Sequence, residues 1–286
     1  MSKKYFNMVF PQWQGIGLKG PFRGANMINE NYLMGSEWTN VPIVGGDELR
    51  VEKGIIGYQE VLEQLDSVTR ILKDNRPDRL ITVGGDCGIE LGPVSYLNQR
   101  YDGDLALIWF DAHGDLNTPD SSPSQRFHGM PVRCLLGEGD DQIVKRCFSR
   151  LELDQIVLAG TRDLDPPEER FIKDESISVA DQITSGGEEL IRMLKTKGYS
   201  NVHLHVDLDV LDCAGFPHVT CPVPGGPNMK NLVEFVKEVA GEFNVVGFSL
   251  LEFAPQHHQA ALEIKDIMDL MGMISEDRIK KVCRAS

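Results

Sequence analysis

Apolar residues along this chain follow two rhythms. Runs rich in apolar residues at 7–10, 79–83, 105–110, 156–159, 202–206 and 245–250, unbroken from 105 to 110, read as buried strands. Between 58 and 73 the rhythm changes: Val61, Leu65, Val68 and Leu72 recur at helical spacing on one face. Further helical stretches are expected around 188–195, 230–242 and 260–274, with a Gly- and Pro-rich loop between the first strand and Gly24. Strands alternating with helices imply an α/β fold with a mostly parallel sheet covered on both faces. In such sheets ligands bind beyond the carboxyl ends of the strands.

That is where the polar chemistry gathers: Asp86 and Cys87, Asp111 to Asp115, Asp163 and Asp165, Asp207 to Asp212, and Glu252. Asp111, His113 and Asp115 stand at every second position, and a chain still extended there would throw all three side chains to one side. Asp207 and Asp209 repeat the alternation. So many ligand-type side chains cannot be buried together without a cation. Turn and capping chemistry is the plainer alternative for any one motif, because Asp is common at strand-to-loop boundaries.

Composition narrows the classes. A chain of 286 residues with 41% hydrophobic content can bury one large core, and a single domain over 1–286 is expected. A net charge of -14 argues against nucleic acid or an anionic membrane as partner. Residues 1–9 carry two lysines but no apolar signal core, and the six cysteines include no CxxC pair. Reduced thiols in a cytoplasmic protein are therefore expected.

The motifs Gly84-Gly85-Asp86-Cys87, Asp111-Ala112-His113-Gly114-Asp115-Leu116-Asn117-Thr118-Pro119, His128-Gly129-Met130-Pro131, Asp207-Leu208-Asp209-Val210-Leu211-Asp212 and Pro224-Gly225-Gly226 follow one another in an order that resembles the arginase/agmatinase (ureohydrolase) family. Glu252 followed by Pro255 resembles its last motif. The resemblance implies a three-layer α/β/α sandwich of the arginase/deacetylase type and two Mn2+ ions bridged by hydroxide. It implies a hydrolase acting on C–N bonds of linear amidines, cleaving a small guanidino (or formimino) substrate to urea and an amine, usually as a homotrimer or homohexamer.

Carried over by residue, Asp111 and Asp207 resemble the carboxylates bridging both metals. Asp115 resembles a ligand of the first ion with a share in catalysis, and His113 and Asp209 resemble ligands of the second. Cys87 stands where the family has histidine. A cysteine-ligated manganese, a preference for another metal such as zinc or iron, or a depleted first site all follow from that exchange. His128 resembles the histidine that shuttles protons, and Glu252 the glutamate that receives the guanidinium. Asn117, Ser124 and Asp165 stand where arginases hold the substrate's α-carboxylate and α-amino groups. Arg126 stands where arginases have asparagine, and its guanidinium suits a substrate carboxylate. His203 and His205 are read as structural, the latter where the family often has serine. Arginine or a related guanidino acid is the expected substrate. Agmatine, formiminoglutamate and a weakly active or non-catalytic protein remain as alternatives; a single-zinc deacetylase fits the motifs poorly.

Overall fold

Eight strands, all paired in parallel, make the central sheet of the computed structural model, which describes residues 5–34, 37–46, 48–180, 183, 187–276 and 278–279. In chain order they are β1 (Tyr5–Phe10), β2 (Thr39–Asn40), β5 (Arg79–Gly84), β6 (Ala106–Phe110), β7 (Ile156–Ala159), β8 (Ser178–Ala180), β9 (Asn201–Asp207) and β10 (Asn244–Leu251). A small antiparallel hairpin, β3 (Val51–Glu52) and β4 (Ile55–Ile56), stands apart from them. Across the sheet the order is β2-β1-β5-β10-β9-β6-β7-β8. All six apolar runs of the sequence are strands of this sheet.

Because side chains alternate along a strand, each run feeds two cores. Ile108 and Phe110 join one cluster, with Leu204 and Val206 of β9 and with Phe235 and Val239 of helix α8 (Met229–Glu242). Leu107 and Trp109 join the other, with Val61, Leu65, Val68 and Leu72 of helix α2 (Tyr58–Asn75). These four are the residues whose spacing predicts that helix. Helices α3 (Leu91–Arg100), α7 (Glu188–Lys197) and α10 (Lys265–Ser275) complete the outer layers, giving the three-layer α/β/α architecture.

The structure departs from the pattern in several places. Helix α1 (Gly20–Ile28) begins inside the expected loop, with Pro21 in its first turn, where a missing N–H costs nothing. Helices α3 and α6 (Pro166–Asp174) and the three-residue edge strand β8 give no strong periodic signal. The stretch 260–274 is two helices, α9 (Ala260–Glu263) and α10, parted at Ile264. Among the described residues no helix is long and apolar enough to cross a membrane.

Two features of the sheet place the site. β5, β10, β9 and β6 are successive neighbours, so the segments following them meet at one edge. The register of β9 shifts on β10 between Val245 and Gly247. A Cβ at Gly247 would lie 2.0 Å from His203 Nδ1, so glycine there admits the histidine.

Candidate active site at the carboxyl edge of the sheet

Cys87 follows β5, Glu252 follows β10, Asp207 ends β9 and Asp111 follows β6. The strand order therefore brings together residues widely separated in sequence. Cys87 Sγ lies 3.1 Å from Asp207 Oδ2 and 3.9 Å from Asp111 Oδ2. Glu252 Oε1 accepts the Cys87 amide N–H at 3.2 Å. His113 Nδ1 lies 3.0 Å from Asp209 Oδ2 and 3.3 Å from Asp111 Oδ1. Three groups of potential metal donors result: Cys87, Asp111 and His205; Cys87, Asp207 and Glu252; and Asp111, His113 and Asp209.

The pleat of an extended strand does not gather these side chains. β6 ends at Phe110, so Asp111, His113 and Asp115 lie in the loop beyond it. That loop turns back through Asp115, at φ 52°, and β9 passes into a 3₁₀ turn over Leu208–Val210 that carries Asp209. Asp111 Oδ1 accepts the His113 amide, and Asp207 Oδ1 accepts that of Asp209, each at 2.7 Å. These local bonds aim the outer carboxylate oxygens and the imidazole at one another. Asp115 is buried and stands outside the three groups, although its charge helps to raise the Cys87 thiol. Glu252 also has a left-handed backbone, at φ 59°, a conformation held against the usual steric preference.

The electrostatics are those of a site short of positive charge. Burial pushes Glu252 up to about 8, against the Cys87 amide that pulls it down, with the Asp111 charge adding to the rise. Burial likewise lifts Asp207 and Asp115 well above the usual carboxylate range, and the neighbouring carboxylates lift them further. Asp209 rises to about 6 for the same reasons. Asp111 alone is held low: burial opposes its charge, but His113 and His205 outweigh it. Among the described residues Asp115 Oδ2 and Glu252 Oε2 are buried with no hydrogen-bond partner. Repelling carboxylates with orphaned oxygens are the chemistry of a cation site, and the donors present fit a pair of divalent ions.

Of the remaining predicted residues, His128 has a direct contact with this cluster. His128 Nδ1 is 3.6 Å from Glu252 Oε1, and burial lowers its pKa to about 4 despite the Asp86 charge. Asn117 donates to Asp165 Oδ2 at 2.9 Å, so these two act as a unit. Asp165 opens α6, and its amide donates to Glu168 Oε2 at 2.9 Å, while Glu168 Oε1 accepts the Leu116 amide. Ser124 is exposed, its hydroxyl accepting the Arg126 amide at 3.2 Å. Arg126 is half-buried, and among the described residues its guanidinium makes no hydrogen bond or ion pair. Asp86 holds the loop rather than the cluster, accepting from Gln12, Gly15 and Gly88.

The family model described as "Arginase family" matches residues 22–271. This chain belongs to the arginase family. The arginase-family chain is 37% identical over 198 residues to the arginase of Staphylococcus aureus (strain MSSA476), an alignment covering 65% of each protein. The chain thus spans just under two thirds of the length of that curated relative. Its fold matches the Entamoeba histolytica arginase crystallised with L-ornithine at TM-score 0.85 and 23% identity, covering 94% of this chain and 99% of that one. The Bacillus caldovelox arginase matches at TM-score 0.83 and 24% identity, covering 95% and 98%.

Sequence reasoning missed three residues. His205, read as structural, turns Nε2 toward Cys87 and Asp111, at 3.7 and 3.8 Å. Glu90 faces both His203 and His205, and Glu168 holds the two loops named above. A buried Glu beside buried histidines becomes visible only once the strand order is known.

Proposed function

We propose that this chain hydrolyses a guanidino C–N bond, with arginine or a related guanidino acid giving urea and an amine, at a pair of Mn2+ or similar divalent ions. The single observation carrying this reading is the convergence of buried donors from four adjacent strand ends, with Glu252 and His128 beside them, in an arginase-family chain. The name of the curated relatives and the L-ornithine bound to the Entamoeba histolytica protein support it.

Asp111, His113, Asp115, Asp207, Asp209 and Cys87 would hold the ions. Bound divalent ions supply a water acidic enough to attack the guanidinium carbon at neutral pH. The other tasks fall to side chains. Glu252 accepts the planar guanidinium and fixes its orientation, a charge-assisted pairing in a buried setting. His128, neutral at physiological pH and beside Glu252, takes up a proton on one ring nitrogen and hands it to the leaving nitrogen, returning to the neutral form. The Asn117–Asp165 pair and Ser124 line the approach for the substrate's amino-acid end, and the uncommitted Arg126 guanidinium favours an anionic tail. Under this reading residues 1–286 form one cytoplasmic domain that assembles as a homotrimer or homohexamer, with no nucleic-acid or membrane partner.

The experiment is a chelator-treated preparation reloaded with divalent ions and offered arginine, other guanidino acids, agmatine and formiminoglutamate. Urea from arginine or a guanidino acid is the expected outcome. Formamide from formiminoglutamate alone would move the assignment to that substrate, for which Arg126 is equally suited. No amidine cleavage with any ion would overturn the reading.

A further inference from the structure

His205 is held on two sides. It pairs across the sheet with Trp109, and the two rings lie flat on each other, centroids 3.3 Å apart and planes 4° apart. Its Nδ1 meets Glu90 Oε1 at 3.3 Å. The other nitrogen, Nε2, is thereby turned to a thiol and a carboxylate, 3.7 Å from Cys87 Sγ and 3.8 Å from Asp111 Oδ2. Cys87 Sγ is itself 3.9 Å from the same carboxylate oxygen, so sulfur, nitrogen and oxygen stand at the corners of a nearly equilateral triangle. The Trp109 indole N–H donates to that oxygen at 3.0 Å and fixes it. His205 and Glu90 have no exposure, and Cys87 and Asp111 only 1%.

A histidine serving only the core explains half of this arrangement. Pairing with Glu90 at 3.3 Å accounts for Nδ1 but leaves Nε2 between a thiol at 3.7 Å and a carboxylate at 3.8 Å, the latter well beyond the roughly 2.7–3.2 Å of a good N–H···O bond. The separations come closer to what one shared ion requires. Sulfur at about 2.3 Å and nitrogen at about 2.0 Å from a tetrahedral ion stand roughly 3.5 Å apart. A carboxylate on the far nitrogen is also the usual support of a ligating imidazole, fixing its tautomer and raising its basicity.

We propose that His205 Nε2 joins Cys87 Sγ and Asp111 Oδ2 as a mixed ligand set for one divalent cation, with Glu90 and Trp109 as positioning residues. The inference rests on the metal-dependent reading above and specifies one of its two positions. A thiolate with an imidazole is softer than a carboxylate-rich set, so this position prefers zinc, iron(II) or cobalt(II) to manganese. As the cation binds, the Cys87 S–H bond breaks, its electron pair goes to the metal and the proton leaves to solvent.

Cobalt(II) is the probe. Stripped full-length protein is titrated with Co2+ and with Mn2+, and occupancy is followed by metal analysis and by the thiolate-to-cobalt charge-transfer band. X-ray absorption of the loaded wild type reports sulfur around cobalt. Expected are two Co2+ per chain, a sulfur neighbour, and a preference for Co2+ over Mn2+ at one position. His205→Ser weakens one of the two ions by tenfold or more and alters the charge-transfer band, while the other ion still binds. Glu90→Gln, which keeps the imidazole, weakens the same ion about 10–100-fold. Should His205→Ser not fold, Glu90→Gln and the wild-type absorption spectrum decide the matter. Unchanged affinities and band in folded variants, or no sulfur near cobalt, overturn the ligand set while guanidino hydrolysis at the second group of donors still stands. A wild type that binds no divalent ion overturns both. A fully loaded protein with the expected spectrum but no amidine cleavage supports the ligand set and overturns only the assigned reaction.

Discussion

Glu252 Oε1 accepts the amide N–H of Cys87 at 3.2 Å, tying the end of β10 to the end of β5. The carboxylate proposed to meet the substrate is therefore positioned by the backbone of the residue proposed to meet the metal. Glu252→Gln keeps an acceptor oxygen for that amide but removes the charge. kcat/KM toward a guanidino substrate should fall about ten- to a hundredfold, the value of one charge-assisted bond, with melting temperature little changed. Steady-state kinetics beside a thermal melt check this. An equal loss in both would make Glu252 a structural strut instead.

Asp111→Ala and Asp207→Ala should each abolish activity and strip metal from the protein. Each carboxylate belongs to a different pairing with Cys87, and Asp111 also meets His113. Elemental analysis of purified variants is the measurement, and full occupancy in either would remove that residue from the ligand set.

Arg126, two residues before His128, offers a guanidinium with no partner among the described residues. Arg126→Ala should lower kcat/KM for arginine or a guanidino acid by about one to two decades and leave agmatine nearly unaffected. Equal losses on both substrates would show that the side chain supports its loop and reads no carboxylate.

Metal-stripped protein should lose stability as pH rises from about 6.5 to about 8. Burial raises Glu252 to about 8 and lifts Asp207 and Asp115 well above the ordinary range. For His113 burial opposes the charge, but Asp111 and Asp209 raise its pKa nonetheless. Each group retains a proton that the unfolded chain has already released, so its stabilisation is present at low pH and lost as pH climbs through the folded value. His128, lowered to about 4 by burial, acts in the opposite sense only below about 6.5, so the window is chosen above that. Melting temperature against pH tests the sign, and saturating divalent ion should flatten the curve.

Cys87→His alone should destabilise the protein, because a larger ring at 87 meets His205 Nε2 where sulfur now stands at 3.7 Å. Adding His205→Ser makes room and should recover stability. The two changes would then show a favourable coupling in a double-mutant cycle, and additive losses would mean that the rings do not compete.

The sheet was legible because buried parallel strands are rich in apolar residues, as the run 105–110 is from end to end, and Val202, Leu204 and Val206 mark β9 even with two histidines between them. The acidic motifs were legible because Asp111, His113, Asp115, Asp207 and Asp209 crowd just after those runs. Their mutual aim was not, since it comes from loop turns at Asp115 and Leu208–Val210 and not from strand pleat. Helix α1 was hidden by Gly20, Pro21 and Gly24, residues that usually mark loops. His205 could not be told from a core histidine, because its meaning depends on β9 lying beside β6 in the register that pairs it with Trp109. Glu90 is likewise silent until the fold carries it beneath two buried imidazoles.

The flat contact between Trp109 and His205 also gives the site an optical signal of its own. Trp109 is one of three tryptophans in the chain and is wholly buried, so its emission is insulated from solvent but not from the ring against it. A paramagnetic cation held by that imidazole would quench the indole one ring away, and zinc in its place would leave the emission bright. The unlabelled protein should therefore report, in a fluorimeter, which kind of ion sits beside Cys87.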